Sequence, residues 1–390
     1  MTSISDAGAA LPPTDFRLAE TFDACDLRAA PTDAYEALLA RLRHEYVPFA
    51  VTWELTHLCN LHCVMCYNVP QAAPELTTAE CLDILEQLAA AGTLRLTLTG
   101  GEILTRQDFL VIAGRARELG FALNLKTNGT LLTPVLAEKV AALAPAQVDI
   151  SLLGATPETS DAVMGGRQTL AQIVHGVRLL SERGVRVKLN TLLLDLNAAE
   201  QRPMVNLARE LGVCYGQFCK VSPADDRTDE SVQHQLTLAQ MTVALVADQS
   251  PFTPRSPAAS TRTCSVGLSS CLISPNGIVY PCVELRIPAG SLAGVRRQRF
   301  TEIWAEAPIL RELRERHTYA NLAACRDCSL NRYCEARCAG LAWKEHGDLY
   351  GGHAVACQYA QACYAQQHPG APVPSTSLQY GDSAICDAIF

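Results

Sequence analysis

The sequence lacks the features that would place the protein on a nucleic acid or in a membrane. It has no basic excess, since 32 Lys and Arg against 40 Asp and Glu give a formal net charge of −8. Without a basic stripe we expect no nucleic-acid partner. No apolar run approaches the roughly 20 residues of a membrane span, and residues 1–16 lack the basic and apolar segments of a signal peptide. The sequence therefore predicts a cytoplasmic protein with no membrane partner.

Cysteine, in contrast, is abundant, with 17 residues in a chain of 390. A hydrophobic content of 48% with 18% charged residues is typical of a globular protein and excludes wholesale disorder. Thiols in the cytosol are kept reduced, so a dense cysteine pattern there indicates metal binding or redox chemistry rather than disulfides.

Six apolar, β-branched runs alternate with helical patterns in the first part of the chain. The runs lie at 51–55, 94–98, 121–126, 147–152, 185–193 and about 213–221, and the helical patterns at 77–91, 106–119, 132–144, 168–183 and 198–211. Thr77 and Glu80 form a capping box, and Gly120, Gly184 and Gly212 follow helix ends. The alternation predicts parallel βαβ units of the α/β class. Six strands favour a partial (β/α)6 TIM-like barrel over a closed eight-stranded one.

Changes in composition divide the chain into five segments. They are an N-terminal extension, a barrel, a linker with one helix, a small cysteine-rich domain and a tail, at 1–47, 48–222, 223–262, 263–366 and 367–390. An acidic run at Asp225, Asp226, Asp229 and Glu230 predicts a solvated loop. Cys81, inside a predicted helix, is expected in the core.

A cysteine triad follows the first predicted strand. Cys59, Cys63 and Cys66 have the spacing C-x3-C-x2-C, and three thiolates in one loop can bind three irons of a [4Fe–4S] cluster. The fourth iron is then open to a substrate or cofactor. A zinc site is the alternative, with His57 or His62 as fourth ligand.

The triad, together with a glycine motif, resembles the radical SAM superfamily. Gly100, Gly101 and Glu102 follow the second predicted strand, where that family has its GGE motif. The resemblance implies that this motif holds the amino group of S-adenosylmethionine (SAM). Glycine permits a close approach, and a carboxylate suits an ammonium group.

Four more positions match the same family. Lys126 and Asn128 end the third predicted strand, Ser151 ends the fourth, and Met65 precedes the last cysteine of the triad. The resemblance implies that Lys126, Asn128 and Ser151 lie where the SAM carboxylate and ribose bind, and that the backbone of Met65 meets the adenine. All of these motifs fall at strand C-termini, the functional face of a βα barrel.

The C-terminal cysteines resemble the SPASM domain, which carries two auxiliary iron–sulfur clusters in radical SAM peptide-modifying enzymes. The matching pattern is C-x2-C-x5-C-x3-C after a G-x4-C motif. The resemblance implies a first auxiliary [4Fe–4S] cluster on Cys264, Cys271, Cys282 and Cys338, and a second on Cys325, Cys328, Cys334 and Cys357. Zinc is again the alternative for this spacing. With the SAM-binding cluster, three [4Fe–4S] clusters are expected.

The resemblance implies a radical enzyme that acts on a peptide. SAM would be cleaved reductively to a 5′-deoxyadenosyl radical, which abstracts hydrogen from a peptide or protein substrate. A ribosomally synthesised peptide would thereby gain a cross-link or an oxidised residue. A low-potential donor such as flavodoxin or ferredoxin would supply electrons, and a separate leader-binding protein is a possible partner. Glu284, Cys363 and Cys386 are candidate catalytic residues.

Two alternatives remain open from the sequence. One is a radical SAM dehydrogenase that acts on a small molecule. The other is a non-enzymatic metal-binding scaffold, which leaves the GGE motif and the strand-end motifs unexplained. His57, His62 and His175 are expected to be packing or solvent-facing residues rather than ligands.

Overall fold

The computed structural model describes most of the chain from residue 34 to residue 376. The described residues are 34–376 except 70–72, 227, 229, 249–253, 255–257, 259, 260, 263, 295, 296, 335 and 336. Most of the N-terminal extension, the end of the tail and Cys386 therefore lie outside the described residues. Within the described part, none of the helices has the length and apolarity needed to cross a bilayer.

Six parallel strands form the first part of the sheet, in the order β6-β5-β4-β3-β2-β1. They are β1 Ala50–Glu54, β2 Arg95–Thr99, β3 Ala122–Thr127, β4 Gln147–Ser151, β5 Val187–Leu192 and β6 Cys214–Phe218. Sequential order with parallel pairing is what right-handed βαβ units produce. The predicted partial barrel is confirmed.

Thirteen helices lie among the described residues. Those of the barrel region are α1 Ala34–His44, α2 Thr78–Ala90, α3 Phe109–Glu118, α4 Pro134–Ala142, α5 Pro157–Met164, α6 Thr169–Ser181, α7 Gln201–Glu210 and α8 Leu238–Asp248. The C-terminal ones are α9 Phe300–Glu306, α10 Pro308–Arg316, α11 Ala323–Arg326, α12 Ala339–His346 and α13 Ala354–Gln367. The capping box of Thr77 and Glu80 is present at α2.

The sheet does not stop where the barrel was expected to end. β7 (Ser270–Ile273) pairs in parallel with β1, so that Ala50 lies opposite Ser270 and Trp53 opposite Ile273. β8 (Ile278–Tyr280) and β9 (Gly290–Ser291) continue the sheet antiparallel. The free edge of β1 is an unpaired row of backbone groups until β7 covers it. The cysteine-rich segment is thus joined to the barrel by a continuous sheet, and the five segment boundaries stay a prediction.

The core lies between this sheet and its helices. Trp53 and Leu55 at the end of β1 are fully buried, as are Leu96 and Leu98 of β2. Each such side chain stabilises the fold by about 1.5–3 kcal/mol. Cys81 of α2 is fully buried, which confirms its expected place in the core. These buried side chains give the site a rigid base under the C-terminal ends of β1 and β2.

Candidate active site and cluster-binding cysteines

The cysteine triad lies in the loop that leaves β1. Cys59 and Cys66 are exposed and Cys63 is half-buried. The loop is held from below by α5, since the backbone N–H of His62 donates to the carbonyl of Met164 at 3.2 Å and that of Val64 to Val163 at 3.0 Å. The three thiols therefore project from a loop with a fixed backbone.

The three thiols also influence one another. Burial, and then the charges of Cys66 and Cys59, raise the pKa of Cys63 to about 12. Burial raises the pKa of Cys66 as well, with Cys59 acting in the same direction. Neighbouring thiols that resist ionisation need a cationic partner to become thiolates, and bound iron supplies one. The donor set fits an iron–sulfur cluster.

A single metal ion needs its ligands closer together than a cluster does. Among the described residues, no three Cys, His, Asp or Glu side chains gather closely enough to hold one ion. Zinc requires its ligands within about 2.0–2.3 Å of one centre. In a four-iron cluster each thiolate binds a different iron, so the sulfur atoms can stand farther apart.

Two glycines press the turn after β2 against the cysteine loop. Gly100 has a φ of +144°, and a Cβ there would lie 2.5 Å from the carbonyl oxygen of Thr56. A Cβ on Gly101 would lie 2.3 Å from the carbonyl oxygen of Leu58. The N–H of Gly101 donates to Thr56 and that of Glu102 to Leu58, both at 2.8 Å. Only glycine allows this approach.

Glu102 is fully buried and ties β2 to β3. Its carboxylate accepts hydrogen bonds from the N–H of Leu104 at 3.0 Å, the Oγ1 of Thr127 at 2.7 Å and the N–H of Asn128 at 2.6 Å. Burial raises the pKa of Glu102, while these hydrogen bonds act in the opposite direction. The carboxylate is thus engaged within the protein, and a contact to a SAM amino group stays a prediction.

Asn128 connects β3 to the cysteine loop. Its side-chain amide donates to the Oδ1 of Asn60 at 2.9 Å and lies 3.9 Å from the Sγ of Cys59. Its Oδ1 accepts from the N–H and the Oγ1 of Thr130 at 2.9 Å and 2.7 Å. Asn128 therefore orients the first cysteine of the triad from the neighbouring strand.

The other predicted SAM-binding residues surround the same edge of the sheet. Lys126 is exposed near the end of β3, and Ser151 is half-buried at the end of β4. Met65 is half-buried and packs against the main core. Their roles in binding SAM stay predictions.

A buried ion network lies behind the cysteine loop and was missed by the sequence analysis. Arg286 pairs with Glu54 at 2.7 Å and with Asp225 at 3.0 Å. Lys344 lies 3.4 Å from Asp225 and 3.3 Å from Glu284. The expectation of a solvated acidic loop is wrong for Asp225, because two buried cations compensate its charge. No pattern in the sequence links these five residues.

The network adjoins the triad and the C-terminal cysteines. Asp225 and Glu54 are close enough to Cys66 to raise its pKa further, after burial and Cys59. Glu284 acts in the same way on Cys282, where burial is the larger cause and the pKa rises to about 11. The ion network therefore lies between two of the predicted cluster sites.

Three of the four cysteines predicted for the first auxiliary cluster lie near one apolar group. Cys264 and Cys282 pack against the same buried residues, which are Val266, Leu285, Leu313 and Ala339. Cys338 directly precedes Ala339 in the chain. Cys338 itself packs against the main core, which contains Cys271.

Cys271, the fourth predicted ligand, is a core residue. It is inside β7, opposite Val51 of β1, is 3% exposed and belongs to the main core. Burial raises its pKa to about 12, opposed only by Arg314. Its neighbour Ser270 donates a hydrogen bond to the carbonyl of Ser265, next to Cys264, and the role of Cys271 as a ligand stays a prediction.

The second predicted cluster site is a cavity. Its lining includes all four predicted ligands, which are Cys325, Cys328, Cys334 and Cys357. Burial and then Cys334 raise the pKa of Cys325 to about 11, and the same two causes raise that of Cys357 to about 12. Four thiols around one cavity are a suitable donor set for a [4Fe–4S] cluster.

The three candidate catalytic residues differ in position. The carboxylate of Glu284 accepts a hydrogen bond from the Oγ of Ser222 at 2.5 Å and lies within the ion network. Cys363 is 1% exposed and packs with Leu330, Tyr333 and Ala360. That environment is typical of a structural thiol. Cys386 lies outside the described residues.

Two family models match the chain. The model described as radical SAM superfamily matches residues 53–208, and the SPASM model, described as an iron–sulfur cluster-binding domain, matches residues 264–329. The first match contains the triad and all the strand-end motifs. The second contains five of the eight cysteines predicted for the auxiliary clusters.

Relatives of known function carry several names. An AdoMet-dependent heme synthase of Methanosarcina barkeri is 31% identical over 333 residues, which are 77% of this chain and 94% of the relative. The mycofactocin maturase MftC of Mycobacterium ulcerans is 29% identical, over 79% of this chain and 87% of the relative. A PqqA peptide cyclase of Rhizobium meliloti is 28% identical, over 76% of this chain and 84% of the relative.

The fold is also that of solved structures. Streptococcus suis SuiB bound to S-adenosylmethionine superposes with a TM-score of 0.62 at 17% identity, over 82% of this chain and 80% of SuiB. The radical SAM domain implies SAM and one [4Fe–4S] cluster, and the SPASM domain implies auxiliary iron–sulfur clusters. The triad thiols and the cavity cysteines fit those groups. The chain belongs to the radical SAM superfamily and is an iron–sulfur enzyme with a C-terminal SPASM domain.

Proposed function

We propose that the protein is a peptide maturase, an oxidoreductase that abstracts hydrogen from a ribosomally synthesised peptide and leaves a cross-link or an oxidised residue. The cavity of Cys325, Cys328, Cys334 and Cys357 is the observation that carries this proposal. A second auxiliary cluster there offers an exit for the electron of a substrate radical. The names of two relatives, mycofactocin maturase and PqqA peptide cyclase, support a peptide substrate.

The cofactors, when bound, supply reductive cleavage of SAM to a 5′-deoxyadenosyl radical. The chain's own residues fix the place of that chemistry. The glycine turn and Glu102 hold the cysteine loop against β2 and β3, and Asn128 orients Cys59. The buried pair of Arg286 and Glu54 holds the C-terminal segment against the other side of the loop. Such a rigid frame orients the reactants and excludes water.

We propose three [4Fe–4S] clusters. The SAM-binding cluster would use Cys59, Cys63 and Cys66, and the second auxiliary cluster the four cavity cysteines. For the first auxiliary cluster, the contacts of the described residues favour Cys264, Cys282 and Cys338. The burial of Cys271 inside β7 favours a core role for this thiol.

The remaining partners belong to the same proposal. A low-potential donor such as flavodoxin or ferredoxin would reduce the SAM-binding cluster. A separate leader-binding protein would present the peptide. Gly100, Gly101, Glu102, Lys126, Asn128, Ser151 and Met65 would surround SAM at the C-terminal edge of β1–β4.

One observation favours a second candidate function. The relative at 31% identity is named a heme synthase, and its product is a small molecule. A radical SAM enzyme that oxidises a small molecule would need the same triad and GGE turn, but no peptide and no leader-binding protein.

The experiment uses protein purified and reconstituted without oxygen. About 12 irons per chain are expected from three four-iron clusters. The enzyme is then incubated with SAM, dithionite and each candidate short peptide found by a search of the genes beside its own, and 5′-deoxyadenosine and the mass of the peptide are measured. Loss of a hydrogen pair from the peptide, absent in a C59A/C63A/C66A control, supports the maturase. If the peptide is unchanged while a porphyrin is oxidised, the second candidate is favoured.

A further inference from the structure

Arg337 is a buried cation in the wall of the second cluster cavity. It is 7% exposed and lines that cavity together with Cys325, Cys328, Cys334 and Cys357. It lies in the chain between Cys334 and Cys338, which belong to different predicted clusters. No role has been assigned to it so far.

Within the described residues, the guanidinium group is held in place by neutral contacts. Its Nη2 donates to the carbonyl oxygen of Asn331. Its central carbon lies 5.0 Å from the ring centre of Tyr319, a cation–π distance. The ring is itself fixed, because the Tyr319 hydroxyl donates to the carbonyl of Cys325 at 3.0 Å. The cation is therefore anchored beside the loop that carries the first cavity cysteine.

One N–H donor of the guanidinium group has no hydrogen-bond acceptor within the described part of the protein. The Nε of Arg337 is buried and has no hydrogen-bond partner there. Nor does any described carboxylate lie within ion-pair distance of Arg337. A buried charge without a counter-charge and a buried N–H without an acceptor are both costly. The four cysteines that line the cavity with Arg337 become anionic thiolates when they bind iron.

We infer that Arg337 is the charge and hydrogen-bond partner of the second auxiliary cluster and favours its reduced form. This inference rests on the proposed cluster at the four cavity cysteines. The reduced cluster carries one more negative charge than the oxidised cluster, so an adjacent cation stabilises it preferentially. Net charge and hydrogen bonds to sulfur set the potentials of such clusters. A higher potential makes the second auxiliary cluster a better acceptor for an electron that leaves the substrate.

The reduction step leaves the arginine chemically unchanged. One electron passes from the reductant to the cluster. The reductant is dithionite in the experiment and the substrate radical in turnover. No bond to Arg337 is formed or broken. Its effect is on the equilibrium between the two redox states of the cluster.

The test is a potentiometric titration followed by EPR, in a C59A/C63A/C66A background that removes the SAM-binding cluster. A C328A variant identifies the signal of the second auxiliary cluster by its loss. In Arg337→Gln the equilibrium should shift toward the oxidised cluster by about tenfold or more, which is about 59 mV for one electron. Arg337→Lys keeps the charge and should shift less.

The control is Arg326→Gln, because Arg326 is exposed and pairs with Asp327 at 3.3 Å on the surface. It should leave the potential unchanged, since water and salt screen an exposed charge. Equal potentials in R337Q and the parent protein would overturn the inference. If C328A removes neither iron nor an EPR signal, the proposed cluster itself is absent, and the proposed function fails with it.

A second measurement decides the question if R337Q loses its iron. Protein with 15N-labelled arginine and an intact cavity is reduced, and pulsed EPR records coupling between the cluster and nitrogen. A coupling from arginine nitrogen supports the inference. Its absence overturns the inference without any substitution at Arg337.

Discussion

Arg286 donates two hydrogen bonds to the carboxylate of Glu54, from Nη2 to Oε1 at 2.7 Å and from Nη1 to Oε2 at 3.1 Å. Glu54 is the last residue of β1, directly before the cysteine loop, and Arg286 lies in the SPASM segment. The Glu54 side chain is almost fully buried, and that of Arg286 is 13% exposed. This bidentate pair joins the two ends of the predicted active site across 232 residues of sequence.

Removal of Arg286 should destabilise the protein strongly. Arg286→Met leaves Glu54 and Asp225 buried without a full counter-charge, and we expect a loss of about 3–5 kcal/mol in the free energy of unfolding. Arg286→Lys should lose less stability, because lysine keeps the charge although it cannot form the same pair of hydrogen bonds. Denaturant unfolding under anaerobic conditions measures both.

The exposed pair of Arg41 and Glu45 serves as the control for this prediction. Its atoms also lie 2.7 Å apart, but both side chains face solvent. Arg41→Gln should leave the unfolding midpoint unchanged. If the R286M protein is as stable as R41Q, the buried pair does not contribute to the stability of the fold.

The glycine turn gives a prediction about iron content. In Gly101→Ala the new Cβ would meet the carbonyl of Leu58 at 2.3 Å, and this backbone atom cannot move without the cysteine loop. We expect the SAM-binding cluster to be lost, so that iron falls from about 12 to about 8 atoms per chain. Iron and sulfide analysis after reconstitution measures it.

Gly114 provides a matched substitution in α3. A Cβ there meets nothing within 4 Å, and alanine in a helix is favoured over glycine by about 0.5–1 kcal/mol. Gly114→Ala should keep its full iron content and be slightly more stable. Full iron in G101A as well would mean that the loop tolerates displacement of the turn.

The elements found from sequence were those with local signals. The spacing of apolar residues and the helix-capping residues located the six barrel strands and most of the helices between them. α5 was missed, because its sequence from Pro157 to Met164 mixes polar and apolar residues without a clear stripe. The pairing of β7 with β1 was missed because register between distant segments leaves no local pattern.

The site follows the same division. Cysteine spacing indicated the triad, whose three members lie within eight residues, whereas the cavity cysteines were predicted from the resemblance to the SPASM domain. Asp225 was assigned to solvent because its partners, Arg286 and Lys344, are more than 60 residues away. Arg337 was overlooked for a related reason, because a single cation between two cysteines has no spacing rule of its own.

His317 gives a prediction about pH. Burial, and then the charge of Arg262, lower its pKa to about 4, from an ordinary value near 6.5. The unfolded chain therefore binds more protons than the folded one between these values, so stability should rise as pH increases from about 4 to about 6.5. His317→Asn should reduce this slope, which is at most about 1.4 kcal/mol per pH unit for one group.

Unfolding free energies of both proteins at several pH values between 4 and 7 measure the slope. His44, at the exposed end of α1, supplies the control. His44→Asn should keep the slope of the parent protein. The assignment to His317 fails if H317N and the parent protein have the same pH dependence.

Cys271 and Cys282 can be distinguished by a pair of substitutions. Cys271 lies in the core at β7, whereas Cys282 packs with Cys264 against Leu285 and Leu313. We therefore expect Cys271→Ala to keep about 12 irons, and Cys282→Ala to fall to about 8 because the first auxiliary cluster is lost. C271A should instead lose a little stability, because it removes one buried sulfur from a close-packed region. Iron analysis and EPR of the reduced proteins provide the comparison. Equal iron loss in both variants would make Cys271 the fourth ligand.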